Sequence, residues 1–218
     1  MSSRPAAGGG RWVELAPARL PRWLDGFTER HGAAAVTTQP DGLLLTAADG
    51  ALAELHAAPG APAAADLAGF VAAAAAPRRI GLLLARKGAV AVGIAHGERL
   101  EVSKVDTSYV QGRTAAGGWS QHRFARRREN QAKAAAGDAA QLVTRLLLPQ
   151  VGALSAVVTG GDRRAVDAVL ADRALAPVAA LRAERLLDVP EPRHAVLVAA
   201  VTAARAVRIL VRDPAPPH

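Results

Sequence analysis

The sequence predicts an α/β fold, a mixed β-sheet flanked by helices, preceded by a small N-terminal α+β module. Three observations carry this expectation. Between residues 80 and 211, short β-branched apolar runs alternate with segments of helical spacing in the order βββ-α-β-α-β-α-β, which suits a mixed sheet with helices on its faces. Upstream, residues 11–57 hold shorter runs separated by turn chemistry, and Pro59-Gly60-Ala61-Pro62 reads as a linker between the two parts. At 218 residues, 50% hydrophobic and 21% charged, the chain is long enough and apolar enough to bury a core and is not of disordered composition.

Taken in order, residues 1–10 read as a disordered leader. Trp12, Val13 and Leu15 begin a strand; Leu20, Trp23, Leu24 and Phe27 repeat at helical spacing, with Pro21 tolerated in the first turn and Gly32 as the stop. Residues 33–38, 43–47 and 51–57 are short strands, joined through Pro40-Asp41-Gly42 and Asp49-Gly50. The module spans 11–58. Residues 59–77 are a linker followed by a helix from Asp66 to Ala76 that enters the next unit.

The larger domain, 78–212, opens with three strands, 80–85, 90–95 and 100–105, joined by tight turns as a meander. A long helix follows a glycine-bearing loop. Its apolar positions Phe124, Ala132, Ala135, Ala139, Leu142, Val143 and Leu146 share one face, with arginine and lysine on the opposing side, and Pro149 ends it. Next come a buried strand at 154–159, a helix at 165–171 with Asp162 as its N-cap, a strand at 182–189, a helix at 192–205 and a closing strand at 207–211. Residues 213–218 form a polar, proline-rich tail.

A formal net charge of +8 suggests an anionic partner, nucleic acid ahead of membrane. Lysine occurs only at Lys87, Lys104 and Lys133, however, amid abundant arginine, alanine, glycine and proline. Compositional bias alone produces that pattern, so local clustering is the better guide. Aromatic residues make up 3% of the chain, too few for a base-stacking platform. Zero cysteine excludes disulfides, thiolate metal sites and cysteine nucleophiles and suits a reducing, cytoplasmic setting. The N-terminus has no signal-peptide core. The apolar stretches at 72–76 and 195–211 are broken by Pro77-Arg78-Arg79 and by Arg205 and Arg208, so neither reads as a membrane span.

The chain is organised around residues 111–133. Gly117 and Gly118 can visit backbone angles closed to other residues, Ser120 is a candidate N-cap, and Gln121 falls in the first helical turn, where amide N–H groups are free. Arg113, Arg123, Arg126, Arg127, Arg128 and Lys133 face a single acid, Glu129, a local net charge that suits a polyphosphate surface. Each element has a plainer reading as well. The Gly-Gly pair alone is an ordinary loop hinge, Gln121 a polar first-turn residue, and the arginines a solvated helix face. Trp119 is either a loop-packing hydrophobe or a ring that stacks on RNA. His122, with no carboxylate nearby in sequence to orient it, reads as a polar neighbour and not as a base.

Gly117-Gly118-Trp119-Ser120-Gln121-His122-Arg123-Phe124-Ala125-Arg126-Arg127-Arg128 resembles the region around the Gly-Gly-Gln motif in the central domain of eukaryotic and archaeal peptide-chain release factors, where Gly-Gly-Gln-Ser precedes an Arg-Phe-Ala-Arg helix. Trp119 stands at the position of the family glutamine, and the nearest following glutamine is Gln121, two residues on. That displacement resembles the Vms-like release factor group, specifically its actinobacterial branch. The resemblance implies a central-domain fold, ribonuclease H-like or ribosomal-protein-L-eighteen-like, which the pattern of elements alone would not select. It also implies a peptidyl-tRNA hydrolase acting at the peptidyl transferase centre of the large ribosomal subunit in rescue of stalled ribosomes. No cofactor, metal or membrane partner is expected, and the expected state is a monomer. Gln121, Gly117 and Gly118 would be catalytic; Trp119, Ser120, His122, Arg123, Arg126, Arg127, Arg128 and Lys133 would contact RNA. A non-catalytic ribosome or tRNA binder, and behind it a nuclease acting at the tRNA end, are the alternatives.

Two further patterns were weighed. Gly160-Gly161-Asp162 sits between strand and helix but lacks the Gly-Lys-Ser/Thr of a P-loop and the Gly-x-Gly-x-x-Gly of a dinucleotide site. His31, His56, His96, His194 and His218 show no ligand spacing, so a zinc site is not expected.

Overall fold

The structure is a computed structural model that describes residues 2–86, 88–107 and 121–214, with the backbone alone for 121–129. Packing divides it into two compact units, residues 78–201 and, around them in sequence, residues 1–77 with 202–218. Among the described residues no helix is long and apolar enough to cross a membrane.

The first unit opens with β1 (Ser2–Pro5) paired antiparallel to β2 (Arg11–Leu15). Residues 1–10 were expected to be a disordered leader, and this strand corrects that expectation. The glycine run closes a tight turn, with the Gly9 N–H donating to the Ala6 carbonyl and the Ala6 N–H to that of Gly10. Gly10 has φ +82 and lies so close to the Val211 carbonyl that a Cβ would sit 2.3 Å from its oxygen, so only glycine fits.

Helix α1 (Leu20–His31) buries Leu20, Leu24 and Phe27 on one face and ends at Gly32, whose N–H bonds the Thr28 carbonyl. β3 (Ala34–Gln39), β4 (Gly42–Ala47) and β5 (Leu52–His56) form an antiparallel meander. Helix α2 (Leu67–Ala75) starts at Asp66, whose carboxylate accepts from the Gly69 N–H at 2.7 Å. It was expected to enter the next unit. Instead its Phe70 and Ala74 join Leu20, Leu24, Phe27, Leu43, Leu45 and Leu55 in the core of the first.

In the second unit β6 (Arg79–Arg86), β7 (Ala89–His96) and β8 (Arg99–Thr107) form the expected meander. The long helix α3 (Gln121–Leu146) follows, and a 3-10 segment (Leu148–Ala153) carrying Pro149 closes it. β9 (Ala156–Gly161) then inserts parallel to β6, α4 (Arg163–Leu170) and the short α5 (Ala176–Ala180) return the chain, and β10 (Arg182–Leu187) lies parallel to β9. The five strands run β10-β9-β6-β7-β8, a mixed sheet. The sequence offered no sign of the 3-10 turns or of α5, which are too short to show a period.

Asp162 caps α4 as expected: its carboxylate accepts from the Arg164 and Ala165 N–H groups at 2.8 and 3.4 Å. Its own N–H donates to the Ala85 carbonyl at 2.8 Å. Gly161 before it, at φ +94, has the same carbonyl 2.3 Å from where a Cβ would stand. The loop is therefore closed on itself by strand contact and cap.

One face of this sheet, through Leu83, Val90, Val92, Ile94 and Val157, packs on α3, α4 and α5. The alternate positions Ile80, Leu82, Leu84, Ala91 and Val158 are buried as well, which is why β6 reads as an unbroken apolar run. Helix α6 (His194–Arg205) brings Leu197 to that second face, where its Cδ2 would lie 3.0 Å from a Cβ at Gly93.

The closing strand, β11 (Val207–Arg212), departs most from expectation. It was assigned to the 78–212 domain, but it pairs antiparallel with both β2 and β5, giving the first sheet the order β1-β2-β11-β5-β4-β3. Val207, Ile209 and Val211 supply core residues that the first sheet needs between its two halves.

Candidate functional site

Helix α3 carries the basic cluster, and its two halves are held differently. Toward its C-terminus Ala139, Ala140, Leu142 and Val143 are buried, and with Leu147 just beyond they pack against β7 and α4 residues. The spacing of these positions makes one apolar face. Burying Leu142 and Val143 contributes roughly 1.5–3 kcal/mol each by transfer from water, enough to fix the base of the helix.

Further toward the N-terminus this support ends. Asn130, Gln131, Ala132, Lys133 and Ala134 are all exposed. Five successive residues at 3.6 per turn go more than once round the axis, so the helix has no packed side there. Ala132 was expected on the buried face and is not. Alanine is compatible with either environment, and the apolar periodicity extended past the point where the body stops. The helix nevertheless continues to Gln121, about 21 Å beyond Ala135 at 1.5 Å per residue.

Gln121 is the first residue of α3, which matches its expected place in the opening turn. His122, Arg123, Arg126, Arg127 and Arg128 follow within the first eight residues, their side chains lying outside the described set. Gly117, Gly118, Trp119 and Ser120, with the N-cap role expected of Ser120, also lie outside the described residues. By helical spacing, positions 123, 126, 127, 130 and 133 fall within a sector of about 120° on the side away from Leu142 and Val143. Lys133 in that sector is exposed.

The charge distribution runs against the helix's own interest. The first turn of α3 contains no acid but holds Arg123, at the end where the macrodipole is positive and a cation is disfavoured by typically 0.3–1 kcal/mol. What sequence reasoning missed is the exposed neck at 130–134, because the alanines around Lys133 suit core and solvent alike. Among the described residues no group of three or more His, Cys, Asp or Glu side chains is placed to hold a metal ion.

A mixed five-stranded sheet on which the C-terminal half of a long basic helix packs defines this as an α/β protein. The chain belongs to the Actinobacteria/chloroflexi VLRF1 release factor family, whose model matches residues 78–210, taking in the whole second unit and most of β11. Among solved structures it is similar to a crystal structure of the archaeal translation termination factor aRF1, at 22% identity and a TM-score of 0.47 over 58% of this chain and 34% of that one. An archaeal protein is similar at 21% identity and a TM-score of 0.40, over 58% of this chain and 35% of its own. The chain thus spans about a third of the length of either. No curated protein matches it.

Proposed function

We propose that this protein is a peptidyl-tRNA hydrolase that releases nascent chains from stalled ribosomes or from large subunits, acting as a cytoplasmic monomer without a cofactor. The observation that carries the reading is the cluster of Arg123, Arg126, Arg127 and Arg128 in the opening turns of α3, directly after Gly117-Gly118, in a chain of a release factor family. From Ala135 to Gln121 the helix runs about 21 Å, a length that suits a group entering a narrow RNA-lined centre.

The reaction is an ester hydrolysis. Water attacks the carbonyl carbon of the peptidyl ester, the bond to the tRNA ribose oxygen breaks, and a proton passes to that oxygen, leaving a peptide acid and intact tRNA. The requirements are a positioned water, donors for the developing oxyanion and the leaving oxygen, and exclusion of competing amines. Gln121 has no useful pKa and so acts by position: its backbone N–H, free in the first helical turn, and its side-chain amide organise water and transition-state charge. Gly117 and Gly118 permit the inserted loop conformation. Trp119, Ser120 and His122 line the approach, and the arginines with Lys133 hold phosphates of ribosomal RNA or tRNA.

Trp119 at the place of the usual glutamine favours a second reading, a binder that has lost hydrolysis. Release of a labelled nascent chain from stalled ribosomes and isolated large subunits separates the two, with tRNA length followed alongside. Free peptide with intact tRNA, lost on Gln121→Ala while ribosome binding persists, is the expected result. Binding without release supports the second reading, and shortened tRNA indicates a nuclease.

A further inference from the structure

Helix α3 contains an interior glycine, Gly137, for which packing gives no reason. Glycine in a helix interior costs roughly 0.5–1 kcal/mol relative to alanine, because it frees the backbone and contributes no side chain. Where such a glycine persists, a close neighbour usually requires it. Gly160 in the same unit would bring a Cβ to 2.8 Å from Leu84 Cδ2, and Gly93 to 3.0 Å from Leu197 Cδ2. The glycines of the other described α-helices, Gly26 and Gly69, each have a side-chain atom within 4 Å of that position, and only Gly152, in the short 3-10 segment, shares the open surroundings. A Cβ at Gly137 would meet nothing within 4 Å, and the residue is exposed.

Its location is specific. Residues 130–134 are exposed, Ala135 and Ala136 are half-buried and Ala139 and Ala140 are buried, so Gly137 falls within the stretch over which the helix leaves the body. Side-chain pairs do not reinforce the junction. The positions three and four residues after Lys133 are Ala136 and Gly137, and those three and four before Asp138 are Ala135 and Ala134, so neither charge has an opposite charge at contact spacing across it.

We propose that Gly137 is a positioning residue, an articulation between the docked and free-standing parts of α3 that lets the arm change its angle as it seats on RNA. The functional half of this rests on the peptide-release reading above. A straight alanine-rich neck would hold the arm at one angle; a glycine at its root lowers the cost of bending there.

The absence of cysteine allows a direct test. Spin labels at Asn130→Cys on the arm and Lys104→Cys on β8, both exposed, report the arm's angle as a distance distribution. Gly137→Ala, which adds a methyl group into open space, should narrow that distribution and slow peptide release by about three- to fivefold, the factor by which alanine favours helix over bent states. Gly137→Ala combined with Asp138→Gly moves the glycine one residue along the exposed surface and should restore both readouts. An unchanged distribution overturns the articulation whatever the release rate. A narrowed distribution with unchanged release overturns the positioning role. Should the wild type release no peptide, the hydrolase reading fails, and the distance distributions still decide the hinge.

Discussion

Arg208 on β11 lies with its guanidinium carbon 4.2 Å from the centroid of the Trp12 ring on β2, and the same ring meets His56 of β5 at 5.1 Å. These residues occupy the face of the first sheet opposite its helices. Glu14 holds Arg208 at 3.4 Å and Glu54 pairs with Arg212, so side chains of β2, β11 and β5 cover this face with ion pairs and one indole. The contact ties the strand that arrives last in sequence to one of the first.

Removing the indole should therefore loosen β11 and not merely the surface. Trp12→Ala is expected to lower stability by about 1–3 kcal/mol, the sum of a half-buried aromatic and a cation–π contact. Arg208→Gln, which keeps part of the packing and removes the charge, should cost less. Urea unfolding of both variants checks the order, and equal costs would mean that the ring contributes little beyond its contact with the charge.

His56 makes the same face sensitive to acid. Burial pushes its pKa below the ordinary 6.5, with Glu54 pulling the other way and Arg208 adding to the depression. A histidine depressed in the folded state binds its proton more readily when unfolded, so its contribution is complete above pH 6.5 and is lost as pH falls below that value. Thermal melts from pH 7.5 down to 5 should show Tm decreasing, and His56→Gln should flatten that part of the profile. Asp49, whose carboxyl is lowered by the Ala51 N–H and by His31, adds a separate loss only at still lower pH, below 3.8.

Anchoring of α3 predicts a stability effect at a distance from the proposed chemistry. Leu142 is 3% exposed within the core that fixes the helix base. Leu142→Ala should cost about 2–5 kcal/mol and reduce peptide release more than ribosome binding, because phosphate contacts survive a loosened base better than positioning does. Denaturation and release measured on the same preparation test this.

The arginine cluster predicts a salt effect. Replacing Arg126, Arg127 and Arg128 together by glutamine should weaken ribosome binding and reduce the slope of log affinity against log salt by about two to three, one phosphate contact per residue. A weaker affinity with an unchanged slope would place these side chains off the phosphates. Folding stability should hold.

Much of this arrangement was legible in the residues. The meander of β6, β7 and β8 was visible because its runs are β-branched and its turns carry glycine or charge, and Asp162 was recognisable as a cap from its place between Gly161 and the apolar spacing of Val166 and Val169. The membership of β11 was not legible. Periodicity reports that Val207, Ile209 and Val211 are buried on one face, but contains nothing about which sheet receives them. β1 was hidden because Ser2 to Pro5 are exposed and polar, and the turn joining β1 to β2 is identical in composition to a flexible leader. At the candidate site, the place expected for Gln121 in the opening turn of α3 agrees with the structure. The point where the helix leaves the body could not be read, because alanines at 132, 134, 135 and 136 satisfy core and solvent equally.

The position of β11 between β2 and β5 constrains how the protein is made. During synthesis residues 1–77 emerge first, yet their sheet lacks its middle strand until residue 212 has been added. The early segments β1-β2 and β3-β4-β5 must wait as separate pieces with unpaired inner edges while 78–201, which holds all five strands of its own sheet, is free to fold ahead of them. The order of assembly is thus the reverse of the order of translation, and closing the first sheet becomes the last, topologically longest step.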